Sequence, residues 1–267
     1  MQTLASLSGS NESDALTLSK CAFLAGHFLV AYKAATSFLA RTPRSVRGIY
    51  WKAEAAKRLS QSAFQTAVSL SPNSWEGHVL LGDIYTQRKK WDLAISEYKA
   101  AEKLKPKSPA PYLGLGTVYW RNGQNGPATS VLQTALQLDP ENAQANFEMG
   151  DVLVREHRFE EAAPYLRRTV SIKPDFLPAH ADLGKVYLAS GNVHRATSEI
   201  LKALPMDQSG DLHYQLYLAY KKQGMTRQAQ QALAESQKLR ADALKAHQER
   251  LQKAFHLAKE AGKVSQP

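Results

Sequence analysis

The sequence predicts an all-α fold, an α-solenoid of stacked helix-turn-helix pairs with a C-terminal capping helix, and three observations predict it. Prolines stand at Pro72, Pro106, Pro140 and Pro174, each 34 residues after the last. Glycines at Gly82, Gly116, Gly150 and Gly184 keep the same interval. Further ladders run in phase with both: Leu81, Leu115, Met149 and Leu183, then Tyr85, Tyr119, Leu153 and Tyr187, then Ala94, Ala128, Ala162 and Ala196, then Ala101, Ala135, Thr169 and Ala203. Self-similarity at one fixed period means a stack of supersecondary units, none of which buries its apolar face alone.

In chain order, residues 1–11 read as an N-terminal tail and 12–74 as degenerate N-terminal helical repeats. Gly26, Ala31 and Pro43 mark one helix pair beginning near Glu12. Gly48, Trp51, Phe64, Ala67 and Pro72 mark a second, although Ala55 takes the place of a turn glycine and Ser60 that of a crossing alanine. Terminal repeats are atypical because they cap the stack.

Five regular units follow, 75–108, 109–142, 143–176, 177–209 and 210–243, each read as helix, short turn, helix. In the first helix, Leu81, Gly82 and Tyr85 share a face, with the glycine admitting a neighbouring helix and the tyrosine filling the space beside it. In the second, Ala94, Tyr98 and Ala101 recur at i, i+4, i+7, an amphipathic stripe with small residues at the crossing point. Pro106 ends the unit, since proline cannot continue the hydrogen-bond ladder and disfavours helix in the residue before it. The unit beginning near Gly210 keeps Tyr217, Tyr220, Gly224, Ala229 and Leu233 after a one-residue deletion. From Ala229 to Lys263 there is no proline. This stretch reads as helix with Leu244, Leu251, Phe255 and Ala258 on one face, and residues 244–267 are expected to form a capping helix and tail over the last repeat.

The period and the Leu-Gly, Tyr, Ala and Pro positions resemble the tetratricopeptide repeat, over most of the chain, and in length and style the bacterial members more than eukaryotic co-chaperones. The resemblance implies a right-handed superhelix whose concave wall is lined by the first helix of each pair. It also implies a groove built from the second, fifth, ninth, twelfth and thirteenth residues of each unit. Carried onto this chain, those residues include Asp83, Leu113, Thr117, Trp120, Arg121, Phe147, Asp151, Arg155, Lys185, Tyr214, Lys221 and Lys222, besides Glu76 and Val79. Trp120, Phe147 and Tyr214 are the expected aromatic anchors. Charge along the list runs from mildly acidic to basic, which suits an extended partner segment with acidic residues toward the C-terminal repeats. The same residues also suit plain solvated helix faces. The Lys and Asn clamp by which some family members hold a chaperone's terminal carboxylate is not matched, because Val79 and Asp83, Leu113 and Thr117, and Phe147 and Asp151 occupy its positions.

The 267-residue chain carries a net charge of +10, but the middle is neutral. Residues 1–74 hold 8 basic and 3 acidic side chains, 75–200 hold 15 of each, and 201–267 hold 11 and 6. Nucleic-acid binding through the basic ends and groove is therefore a rival reading, weakened by the lack of a regular base-reading pattern. A second rival is a non-catalytic accessory subunit of an enzyme or secretion complex. A single cysteine, Cys21, excludes an internal disulfide framework. No glycine-rich phosphate loop, HExxH, CxxC pair or nucleophile elbow is present, so no enzyme activity and no cofactor are expected. His78, His180 and His213 all fall at the fourth position of their units, packing into each helix pair rather than holding a metal. The best apolar stretch, Cys21 to Ala40, is broken by His27 and Lys33, so no membrane span is expected. No basic residue precedes Lys20, which removes the signature of a secretory signal and makes a cytoplasmic location the expectation, with export open if the true start lies upstream.

Overall fold

The computed structural model describes residues 12–71 and 73–264. The expected tail at 1–11, Pro72 of the proline ladder, and the side chains of Phe64, Ala67, Phe255 and Ala258 lie outside the described residues. All regular structure among the described residues is helical, and the chain forms two compact units, 1–84 and 85–267.

In the first unit α1 (Glu12–Leu24) and α2 (Phe28–Arg41) form a pair. The turn between them passes through Gly26 at φ 79°, a left-handed conformation that a Cβ disfavours. Ser19 Oγ, buried, donates to the Ala31 carbonyl at 2.9 Å and fastens the two helices together. Both then pack on α3 (Val46–Leu70). Here the structure corrects the expectation of a second helix pair, because α3 is one unbroken 25-residue helix. Elsewhere the equivalent turn holds a left-handed residue: Lys89, Gly123, His157, Gly191 and Gly224. Ala55 is fully buried and sits in the run from Lys52 to Leu59, which contains neither glycine nor asparagine and is built of strong helix formers. Nothing local ends the helix, so it continues. The next helix, α4 (Trp75–Gln87), carries the boundary between the units.

The second unit is a solenoid. After α5 (Trp91–Leu104) come four pairs: α6 (Pro109–Arg121) with α7 (Asn125–Leu138), α8 (Ala143–Arg155) with α9 (Phe159–Ile172), α10 (Leu177–Ala189) with α11 (Val193–Ala203), and α12 (Asp211–Lys222) with α13 (Thr226–Val264). Each second helix also packs on the first helix of the next pair. The ladder glycines mark where the helices of a pair cross: a Cβ on Gly116, Gly150 or Gly184 would stand 2.5 to 2.7 Å from the side chain of Leu132, Leu166 or Ile200. Those three large residues are themselves fully buried, as are Ala94, Ala128, Ala162 and Ala196. The close helix approach expected at these glycines is thus a physical contact in three successive units, and the large residue that fills it is Leu132, Leu166 or Ile200 on the second helix rather than the tyrosine of the first.

Two local devices set the last pair. Gly210 adopts φ 79°, and a Cβ there would collide with the carbonyl oxygen of Ser236 on α13, whose Oγ donates to the Gly210 carbonyl at 2.7 Å. Asp207 starts α12 by accepting from the Gly210 and His213 amides, each at 2.9 Å, and from His213 Nδ1 at 2.7 Å. Burial pushes the Asp207 carboxyl up, but the hydrogen bonds from His213 and from the Leu212 amide outweigh it and hold the group below its ordinary value.

The C-terminal helix differs from the expected cap. α13 runs unbroken for 39 residues, and its beginning, through Ala229, Ala232 and Ser236, is what covers α12. At about 1.5 Å per residue, the 12-residue α12 is roughly 18 Å long, so its antiparallel partner outruns it. Residues 244–254 are all exposed, with Leu244 at 59% and Leu251 at 57%. Among the described residues no helix is long and apolar enough to cross a membrane.

Candidate binding wall

In the second unit the first helices of successive pairs touch one another: α6 with α8, α8 with α10, and α10 with α12. This row of helices forms a wall, and polar side chains bridge its seams. Thr117 Oγ1 on α6 donates to the Glu148 carboxylate on α8 at 2.8 and 3.0 Å. Trp120 Nε1 on α6 donates to Asp151 Oδ2 on α8. The Asp151 carboxyl in turn stands near enough to the Asp182 carboxyl on α10 to raise it. Each rung joins residues 31 apart, one repeat less one short helical turn, which is the diagonal neighbour on the next first helix.

These rungs are electrostatically costly. Glu148 is fully buried, and burial pushes its carboxyl up to about 7, against the opposing pull of hydrogen bonds from Gln144 and Thr117. Asp182, also buried, is pushed up first by burial and further by Asp151, with Lys185 acting in the other direction.

The expected groove residues separate into three kinds. Trp120, Asp151 and Arg155 form a closed triad: Arg155 pairs with Asp151 at 2.6 Å while its guanidinium lies 5.4 Å from the centre of the Trp120 ring. Lys185 likewise pairs with Asp182 at 2.8 Å, and Thr117 is occupied by Glu148. The wall around α8 and α10 is therefore not the free basic stretch that the sequence suggested, because its cations are matched by carboxylates on the same wall.

Phe147 is a correction. Expected as an exposed anchor, it is only 6% exposed, held edge-to-face between Trp120 at 5.9 Å and Phe176 at 4.9 Å, and it belongs to the core. Leu113 packs against the same core. What stays open to solvent is Arg121 on α6 and, on α12, Tyr214, Leu218, Lys221 and Lys222. Tyr214 is 38% exposed, with the Arg240 guanidinium 5.2 Å above its ring and Tyr217 beside it at 5.7 Å. Lys221 and Lys222 have no ion pair among the described residues. Asp83 stands on α4, in the first unit.

Sequence reasoning missed Gln144, Glu148 and Asp182, the groups that give the wall its electrostatic character. A signal existed: Glu148 and Asp182 repeat 34 apart and stand between core residues, Phe147 and Met149 in one case, Ala181 and Leu183 in the other. Of the three fourth-position histidines, His78 and His213 are half-buried. His180 is buried, with Nδ1 against the Glu199 carboxylate and Nε2 2.7 Å from the Pro174 carbonyl oxygen. Among the described residues no group of three His, Cys, Asp or Glu side chains is placed to hold a metal ion.

Known proteins agree with this architecture. The family model of the cilia and flagella-associated protein 70 C-terminal domain matches residues 45–254. No curated protein matches the sequence. Among solved structures, YrrB, a TPR protein with an unusual peptide-binding site, is similar at 21% identity and a TM-score of 0.59, over 70% of this chain and 97% of its own. MamA from Desulfovibrio magneticus RS-1, residues 41 to its end, is similar at 19% identity and a TM-score of 0.56, over 63% of this chain and 96% of its own. At such identities the likeness carries the fold: a tetratricopeptide α-solenoid.

Proposed function

We propose that this chain, which belongs to the family of the cilia and flagella-associated protein 70 C-terminal domain, is a non-catalytic interaction scaffold that holds a segment of a partner protein against the wall of first helices in its second unit. Tetratricopeptide families are in general interaction modules, and a peptide-binding site is a property of YrrB. The observation that carries the reading is the division of labour along the wall. Around α8 and α10 the side chains are locked together by the rungs, whereas α12 offers Tyr214 and Leu218, four residues apart on one face, beside Lys221 and Lys222, which have no ion pair among the described residues. A rigid aromatic and aliphatic pair flanked by cations fits a segment with an apolar anchor and acidic residues.

The test is an affinity purification with the full chain beside a Tyr214→Ala, Lys221→Glu, Lys222→Glu variant that retains native helical circular dichroism. Proteins held by the wild type and lost from the variant are the expected outcome. An unchanged set of bound proteins would place recognition elsewhere. Trp120→Ala and Arg155→Glu are poor probes of binding, because each strips a partner from the half-buried Asp151 and so disturbs stability as well.

A further inference from the structure

The C-terminal part of α13 carries a face that the wall of first helices does not use. α13 covers α12 with a side that includes Ala229 and Ser236, seven residues apart and both buried. That cover ends at the start of α12, where Ser236 meets Gly210 and the Arg240 guanidinium pairs with Asp211 at 3.1 Å. Counting on by threes and fours from Ser236 through Arg240 leads to Leu244, His247, Leu251 and Ala254, which therefore continue the same side. All four are exposed, and each of the two leucines is more than half exposed.

Helix formation does not require those leucines. Residues 238–254 contain no Gly, Pro or β-branched residue, so the segment holds its helix by propensity, and Lys, Gln or Glu would serve as well as Leu at either position. Two large apolar side chains one heptad apart, in phase with a packed face, instead mark the seam of a two-stranded coiled coil. With Leu244 and Leu251 at its a positions, His247 and Ala254 fall at d, and Ala243, Gln248 and Arg250 fall at the flanking positions. Asp242 and Glu249, each two residues before a leucine, lie on the side away from the seam. The flanks thus hold a cation and no carboxylate, and Arg250 has no ion pair among the described residues.

We infer that residues 240–254 of α13 are a second docking surface, for one amphipathic helix of a partner protein that packs alongside them, with aliphatic side chains against Leu244 and Leu251 and carboxylates against His247 and Arg250. Charge complementarity decides the occupant. A second copy of this chain would bring a flank of Ala243, Gln248 and Arg250, which offers Arg250 no carboxylate in return. A membrane-surface helix needs a broad apolar face bordered by cations, whereas here the stripe is one seam wide and Lys245 and Lys253 stand behind it. α13 is the second helix of its pair, so this surface lies outside the wall of first helices and does not rest on the wall reading.

A phage-displayed library of three-heptad helices, randomised at the seam and flanking positions and selected on the full chain, supplies the probe. Enriched helices should carry Leu or Ile in the seam with Asp or Glu beside it. Their affinity, read by fluorescence anisotropy, should fall roughly tenfold or more in Leu244→Gln, Leu251→Gln and in Arg250→Glu, both checked for native circular dichroism. An enriched helix remade with Lys in place of its Asp and Glu should bind Arg250→Glu better than it binds wild type. Affinity should be unchanged in Lys221→Glu, Lys222→Glu, which separates a failure here from a failure of the wall reading. Helices without acidic flanks, affinities indifferent to Leu244 and Leu251, or no enrichment at all would overturn the assignment. So would a wild-type dimer in sedimentation that Leu244→Gln, Leu251→Gln dissolves, or phosphatidylserine vesicles whose capture depends on the two leucines when helix binding does not.

Discussion

Replacing Glu148 with Gln should make the protein more stable than wild type at pH 8 while changing it much less at pH 5. The carboxyl is fully buried and its pKa is raised from 4.5 to about 7, with burial as the main cause. A raised carboxyl binds its proton more tightly in the folded chain than in the unfolded one. Its contribution is therefore harmless below the unfolded value, becomes unfavourable as pH climbs through the window from 4.5 to about 7, and reaches its full cost above that. Over pH 5 to 8 the shift corresponds to about 2 to 3 kcal/mol. Gln is isosteric and cannot ionise. Its carbonyl still accepts from Gln144 Nε2, and Thr117 can turn its hydroxyl to accept from the new amide. Urea titrations of wild type and variant at pH 5 and pH 8 read the effect as a gap in midpoint that widens with pH. A gap that stays constant would mean that Glu148 is not titrating in this range. Asp182, raised in the same direction by its own burial, leaves some pH dependence in the variant.

Gly116→Leu should destabilise the second unit by roughly 1 to 3 kcal/mol, the usual cost of overpacking a core. The first added carbon already stands 2.5 Å from Leu132 Cδ2, before the rest of the side chain is placed, and Leu132 is fully buried. Relief would require α6 and α7 to part, which disturbs their contacts with α5 and α8 as well. A companion change, Leu132→Ala, tests the cause: placed in the Gly116→Leu background it should return part of the lost stability, because the two side chains compete for one space. Additive losses in the double variant would show that the contact is not the reason.

Much of the second unit was legible in the sequence because its fold is written in short-range rules. The 34-residue ladders of glycine and alanine fall at helix crossings, where only small side chains fit, and such a constraint shows in residue type alone. The first unit was harder. The run around Ala55 has no residue that favours left-handed backbone and continues as helix, yet Lys89 and His157 form the equivalent turn without glycine. Identity at that position therefore does not decide the matter.

The wall was only partly legible for a different reason. Position rules assign exposure from one helix at a time, whereas Phe147 is buried by Trp120 and Phe176 from other helices. Likewise the charge of Arg155 and Lys185 looks free in the sequence, but in the fold it is matched by Asp151 and Asp182. Lys221 and Lys222, beside the exposed Tyr214, have no ion pair among the described residues, and the proposed recognition is assigned to these three.

The most direct measurement places a photo-crosslinking amino acid at Leu218, on the wall of first helices, and in a matched variant at Leu201, which is similarly exposed but stands on the second helix of its pair. With the partner recovered by affinity purification, the wall reading predicts a covalent adduct from position 218 and none from position 201. Adducts from 201 with none from 218 would contradict it and move recognition to the opposite face of the solenoid.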